Sequence, residues 1–199
     1  MLDRFLDPMQ FLDPPSRNIA FGSFLDRLSR LETQMSEVTA PPSVSKHWDE
    51  RFMGLAREVA SWSKDRSRKV GCVIVGPNRE IRATGYNGFP RGVADDVEAR
   101  HQRPAKYRWT EHSERNAIYN AARSGVATEG CRIYLMWYPC MDCARAIVQA
   151  GLVEVIAVAP DWNDPQFKDD FAEVEQLFVE AGVARRFVAG EAPKQKAVV

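Results

Sequence analysis

His112, Glu114, Cys140 and Cys143 are the residues of this chain whose types and spacing can do chemistry. They stand in Glu111-His112-Ser113-Glu114 and Tyr138-Pro139-Cys140-Met141-Asp142-Cys143, which read H-x-E and P-C-x-x-C. One imidazole and two thiolates make three protein ligands, the number that leaves a zinc ion one open position for water. Zinc lowers the pKa of such a water to about 7, so hydroxide becomes available at neutral pH. Glu114 follows closely enough on His112 to reach the same water without being a ligand, and to carry its proton.

These side chains converge if both motifs open helices. In mid-helix, His112 and Glu114 would point to different sides. At a first turn both reach the space beyond the helix end. Thr110 is the expected N-cap, and Ile118 and Ala121 continue the apolar pattern. In the second motif Pro139 suits the first helical position, and Cys140 and Cys143 share a face at i, i+3. A helix N-terminus favours anions and so helps keep both thiols deprotonated. Gly151 ends this second helix as its C′ residue. The bland alternative is a closed structural site, which needs a fourth ligand. The candidates are Cys72, Cys131, His47 and His101, and none sits in a second Cys or His pair. Cys72 and Cys131 fall in or beside apolar runs and read as small core residues.

The elements that must position this site come from a chain of 199 residues, enough for one domain and an appendage. Hydrophobic residues make up 45%, ample for a core, and Lys+Arg 27 against Asp+Glu 27 leaves no net charge. That balance argues against broad nucleic-acid binding, which wants a basic surface, but leaves room for a small anionic substrate. The four cysteines form no disulfide framework, so a reducing cytoplasm fits. No run is apolar enough to span a membrane, and the first residues lack the basic-then-apolar order of a signal peptide.

Residues 1–45 differ from the rest. Phe5-Leu6-Asp7-Pro8 recurs as Phe11-Leu12-Asp13-Pro14 and is echoed at Phe24-Leu25-Asp26. Phe21 to Leu31 suits a short amphipathic helix, and Thr39 to Ser45 reads as a linker. This segment is expected to be an arm that packs on a neighbouring subunit; the alternatives are a mobile tail, or a start codon placed too early with Met35 as the true start. A single zinc-binding domain is expected over residues 46–190, and residues 191–199 read as a disordered tail. His47 to Ser63 has the spacing of a buried helix, with Trp48, Phe52, Leu55, Val59 and Trp62 as its stripe. Val70 to Val75, Ile81 to Tyr86, Cys131 to Trp137, Val153 to Ala159 and Ala184 to Val188 read as strands. Phe167 to Ala181 reads as a helix with Phe171, Val174, Leu177 and Phe178 on its apolar face. Ser63 to Lys69 is the densest run of cations, either a phosphate grip through Ser63 and Lys64 or a solvated loop. In the turn-rich Gly85-Tyr86-Asn87-Gly88 loop, glycines let the backbone approach a ligand and Asn87 suits a sugar hydroxyl. Val93 to Arg108 reads as a polar, irregular lid or insertion.

Taken together, this order of strands and helices, with metal ligands at two helix starts, resembles the cytidine deaminase-like fold. That fold is three-layer α/β/α, with a central mixed sheet of about five strands and helices on both faces. Within it the chain is most similar to the deoxycytidylate (dCMP) deaminases, from about Lys46 to about Val188. The resemblance rests on Ser63-Lys64-Asp65 with Lys69-Val70-Gly71, on Gly85-Tyr86-Asn87-Gly88, on His112-Ser113-Glu114 with Asn116-Ala117, and on the P-C-x-x-C motif. It implies one zinc ion per subunit held by His112, Cys140 and Cys143, with Glu114 as the proton shuttle. It places Asn87 at the deoxyribose, and Ser63 and Lys64 near the 5′-phosphate. It further implies a homo-oligomer, hexamer or dimer, and in many members control by dCTP and dTTP, with Mg2+ accompanying the regulatory nucleotide. Two positions depart from the common pattern. Ser113 stands where Ala is usual, a small-for-small exchange expected to be harmless. Trp162 stands where a Tyr near the nucleotide is frequent; it offers a ring to stack but no hydroxyl.

The reaction expected is hydrolytic: water adds at C4 of cytosine, Glu114 takes its proton and delivers it to N3, later protonates the departing amine with a second proton, and ammonia leaves dUMP behind. Other aminated substrates remain open: dCTP, a 5-modified dCMP, a free purine base, or adenosine in tRNA, the last disfavoured by the balanced charge. A zinc-bearing regulatory subunit without turnover is the alternative from another class; retention of Glu114 argues against it.

Overall fold

The apolar runs pair into one mixed sheet of five strands, in the order β2-β1-β3-β4-β5. The structure is a computed structural model describing residues 46–164 and 168–190. The expected arm and linker at 1–45 and the tail at 191–199 lie outside the described residues, as do Pro165 and Phe167. In chain order the elements are α1 (Lys46–Ser61), β1 (Gly71–Val75), β2 (Ile81–Tyr86), α2 (Glu98–His101), α3 (Lys106–Trp109), α4 (Ser113–Arg123), β3 (Arg132–Leu135), α5 (Met141–Gln149), β4 (Glu154–Val158), α6 (Lys168–Ala181) and β5 (Ala184–Val188). β1 runs antiparallel to β2 and β3, whereas β3, β4 and β5 run parallel to one another. Parallel neighbours need long crossovers, and α5 and α6 supply them.

The central strands are buried on both faces, which is why they read as unbroken apolar runs. Side chains alternate between two cores, as the two-residue period of a strand requires. Cys72, Ile74, Ile133, Leu135, Val155 and Ala157 face a core completed by α4, α5 and α6. Val73, Val75, Tyr134, Ile156 and Val158 face the other, completed by Phe52, Met53 and Ala56 of α1. The architecture is therefore the three-layer α/β/α expected. A Cβ at Gly71 would lie 2.3 Å from the Ala56 carbonyl oxygen, so α1 rests directly on the β1 backbone.

The stripe of α1 differs from the expected one. Trp62 falls beyond the helix end and is 54% exposed; it meets Tyr86 edge-on at 6.2 Å instead of joining the core. The buried face is Phe52, Met53, Ala56, Val59 and Ala60. On the same side of the sheet, ionic groups link elements far apart in sequence. Asp49 of α1 accepts from Tyr134 Oη at 2.9 Å and pairs with Arg186. Glu154 joins Arg186 at 3.0 Å and Arg132 at 2.6 Å. The described cysteines are free thiols, and no helix among the described residues is long and apolar enough to cross a membrane.

Candidate active site

Both motifs do sit at helix starts, two residues further along than the sequence suggests. His112 is the N-cap of α4 and Cys140 the N-cap of α5, both in extended backbone, and neither side chain caps its own helix. The imidazole and thiol are thereby released to face each other across two helix ends. Thr110, the expected cap, instead closes α3. Pro139 precedes the helix, and Cys143 falls on its first turn. Gly151 has φ 70° immediately after the C-cap Ala150, the left-handed conformation of a C′ glycine.

His112 Nδ1 lies 3.5 Å from both Cys140 Sγ and Cys143 Sγ, and the three ligand atoms fall within 4.8 Å of one another. Zinc–sulfur bonds of about 2.3 Å and zinc–nitrogen bonds of about 2.0–2.1 Å at a tetrahedral angle put nitrogen and sulfur roughly 3.6 Å apart. The donor set therefore fits zinc in chemistry and in spacing. None of the candidates for a fourth ligand approaches. Cys72 is fully buried and donates to the Ser113 carbonyl at 3.1 Å, and His101 Nε2 lies 2.7 Å from the Asp95 carbonyl. Among the described residues the group has three members, the pattern that keeps a coordination position open.

Without a metal the three donors share protons among themselves, and ligation would displace the protons held by His112 and Cys143. A hydrogen bond from Cys143 holds the Cys140 thiol down at about 4. The bond to Cys140 pushes His112 up to about 9, and Cys143 is pushed up by its bond to Cys140 and by burial. Glu114 is 5% exposed, and burial raises its carboxyl above the usual carboxylate range. A carboxyl raised in this way holds a proton more readily than an exposed one, which suits a group that carries protons. Ser113 Oγ donates to Glu114 Oε2 at 2.8 Å. The residue expected to be a neutral replacement for Ala thus has a task of its own.

The glycine-rich loop supports the site from behind. A Cβ at Gly85 would lie 2.2 Å from the Ser113 carbonyl oxygen and 2.4 Å from the Ala117 nitrogen, so Gly85 lets α4 dock on β2. The close approach is thus to a helix start and not, as expected, to a ligand. Gly88 and Glu111 exchange backbone hydrogen bonds of 3.1 and 2.8 Å, an isolated bridge that fixes the segment leading into His112. Asn116 Nδ2 donates to the Tyr86 carbonyl at 2.8 Å.

His112, Glu114 and Cys140 open onto a cavity of about 180 Å³ that Asn87, Arg68 and Trp137 also line. Asn87 Oδ1 accepts from the Val70 amide at 2.8 Å, and its Nδ2 donates to the Arg68 carbonyl at 2.8 Å and to Asp65 at 3.2 Å. Both amide protons are committed, leaving one Oδ1 lone pair for a ligand. Ser63 and Lys64 do not line this cavity. Ser63 is buried and donates to the Asn87 carbonyl at 2.6 Å, while Lys64 turns outward to Asp95 at 2.6 Å. Trp162 also stands outside the lining. It packs behind it, against Tyr138 at 5.7 Å and Phe171 at 6.3 Å, because its ring completes an aromatic cluster with Phe187.

Three side chains that sequence reasoning passed over organise the cavity wall. Asp65 accepts from the Ser67 and Arg68 amides at 2.8 and 3.0 Å and from Lys106 at 2.9 Å. Burial works against its charge, but these hydrogen bonds prevail and hold its carboxyl below the ordinary range. Arg68 lies over Trp137, 4.1 Å from the ring centroid. The polar segment 93–108 is not structureless: α2 and α3 lie within it, and α3 brings Lys106 to the wall.

Comparisons with known proteins agree with this geometry. The profile of the cytidine and deoxycytidylate deaminase zinc-binding region matches residues 46–159. Human deoxycytidylate deaminase is 37% identical over 147 residues, covering 71% of this chain and 80% of that one. An uncharacterised deaminase of Aliivibrio fischeri is 40% identical over 144 residues, covering 68% and 90%. The dCMP deaminase of cyanophage S-TIM5, solved in complex with dCMP and dUMP, superimposes with a TM-score of 0.60 at 27% identity, covering 73% of this chain and 100% of that one. With a profile match that spans both motifs and more than half its length, this chain belongs to the cytidine and deoxycytidylate deaminase family.

Proposed function

We propose that this protein hydrolyses dCMP to dUMP and ammonia, with one zinc ion on His112, Cys140 and Cys143 and with Glu114 carrying the protons. The observation that carries the reading is the convergence, on one cavity, of a three-donor group spaced for zinc and a buried carboxyl that is no part of it. When bound, the metal supplies an acidified water at neutral pH. The chain's own groups do the rest. Glu114 takes one proton of the attacking water and delivers it to N3 of the ring, then takes the second from the hydroxyl left on C4 and gives it to the departing amine. Ser113 holds one Glu114 oxygen in place through the transfers. Asn87 presents its free lone pair to a hydroxyl of the sugar, and Trp137, Tyr138 and Phe171 wall the ring from solvent. Trp162 supports that wall from behind, where a direct nucleotide contact was expected. The dCMP and dUMP of the cyanophage relative and the name of the human one support the choice of substrate.

The reading extends to a homo-oligomer, dimer or hexamer, in a reducing cytoplasm, regulated by dCTP and dTTP with Mg2+; the family resemblance supports this. The test is ammonia release by zinc-loaded protein across dCMP, CMP, dCTP, deoxycytidine and 5-methyl-dCMP. Turnover highest on dCMP is expected. Glu114→Gln should lower kcat by at least roughly 10²-fold while zinc content and nucleotide affinity stay near normal, because its work is done in the transition state. Zinc-loaded protein that releases no ammonia from any of them, or a Glu114→Gln variant that still turns over, overturns the reading.

A further inference from the structure

The cavity carries a cation that neither the metal site nor the loop network uses. The run Ser63 to Lys69 holds Lys64, Arg66, Arg68 and Lys69. Lys64 pairs with Asp95 and Arg66 with Glu98 at 2.5 Å, which ties the run to segment 93–108, and Lys69 donates to the Ser61 carbonyl at 3.1 Å. Of the four, Arg68 alone lines the catalytic cavity. Lys106, another cation on the wall, is neutralised by both Asp65 oxygens at 2.9 and 3.1 Å. Arg68 makes no salt bridge among the described residues, and its Nε is buried without a hydrogen-bond partner. Arg115 Nε is in the same position, but that guanidinium already pairs with Glu111 at 2.5 Å and Asp142 at 3.6 Å.

Trp137 explains how such a charge is held. Its ring face attracts the guanidinium without neutralising it and leaves the N–H edge available. Burial, and then the like charge of Arg103, lower the affinity of Arg68 for its proton, against the opposing pull of Tyr107, Asp164 and Asp65. The Arg68 carbonyl receives Asn87 Nδ2 at 2.8 Å, so this residue and the proposed sugar contact are locked together. Trp137 also lies three residues before Cys140, which keeps the two Cα atoms within roughly 11 Å of each other, the scale of one nucleotide.

We propose that Arg68, carried on the Trp137 ring, receives the phosphate monoester of the substrate and sets the preference for nucleotide over nucleoside. This rests on the reading that the cavity takes a cytosine nucleotide. A guanidinium offers two parallel N–H groups to two phosphate oxygens. The Ser63–Lys64 assignment is thereby replaced by a residue that faces the cavity.

Binding of the product separates this proposal from the reaction itself. Titration calorimetry on the zinc-loaded protein compares dUMP with deoxyuridine, in wild type, Arg68→Ala and Arg68→Lys. Wild type should bind dUMP more tightly, and Arg68→Ala should shrink that preference by roughly 10- to 100-fold, with partial recovery in Arg68→Lys. Trp137→Leu should shrink it less. In turnover, the ratio of kcat/KM on dCMP to that on deoxycytidine should fall in parallel. Equal weakening of dUMP and deoxyuridine would make Arg68 a ring or sugar contact and overturn the proposal, as would wild type binding both alike. Phosphate-dependent binding without turnover of dCMP would overturn the reaction and leave Arg68 in place.

Discussion

Ser113 shows how a single side chain can be misjudged by size. Its hydroxyl donates to Glu114 in a buried setting, where a hydrogen bond to a charged group is worth about 1.5–3 kcal/mol. Ser113→Ala should therefore lower kcat on dCMP by roughly 10-fold, the lower end of that range, because Glu114 keeps its backbone anchor on α4. Zinc content should stay unchanged, since the ligands are untouched; metal analysis beside steady-state kinetics checks both. An unaltered kcat would show that the hydroxyl only fills space. Trp162 makes the opposite point. It looked like a ligand contact because of its loop, yet its ring finds three aromatic neighbours instead. An aromatic side chain in a loop beside a site is drawn to whichever apolar surface is nearest, and here that surface is the outer side of the cavity wall.

The docking of α4 on β2 decides whether the two half-sites meet. Gly85→Ala places a methyl group against backbone atoms at 2.2 and 2.4 Å, which no side-chain rotation relieves. It should cost about 1–3 kcal/mol of stability and weaken zinc retention, because α4 cannot shift without carrying His112. Gly88→Ala is the control: its nearest neighbour would be the Tyr86 ring at 3.7 Å, so thermal melting should hardly change. This packing could not be read from sequence, where Gly85 announces only a turn. The helix starts were legible because each motif puts its two reactive side chains within three residues of each other and beside capping signals. The central strands were legible because burial on both faces leaves an unbroken apolar run. Arg68 over Trp137, or Asp65 with Lys106, joins residues tens of positions apart, and nothing local marks either partner. Trp62 misled because its spacing continues the α1 stripe past the point where the helix ends.

At the scale of the molecule, the metal site joins the antiparallel half of the sheet to the parallel half. His112 follows the β2 loop, whereas Cys140 and Cys143 follow β3. A zinc ion bound only by the folded arrangement adds stability, about 2.7 kcal/mol at a hundredfold excess over its dissociation constant. Chelation should therefore lower Tm yet leave one cooperative transition, because the two apolar cores do not depend on the metal. Calorimetry with and without chelator checks this, and Cys140→Ser should abolish the difference; loss of all structure on chelation would mean that the metal is part of the core. The ionic chain on the α1 side has a different consequence, for folding. Sliding β5 by two residues along β4 preserves which side chains point up and down, so apolar burial alone does not distinguish the native alignment from its neighbours. Arg186, however, reaches Glu154 and Asp49 in one alignment only. A slipped strand would leave the buried Asp49 without its counterion and Glu154 with Arg132 alone, at a cost of several kcal/mol. The chain thus acts as a vernier, a set of marks that coincide at a single setting, and it selects the native alignment of the last strand to join the sheet.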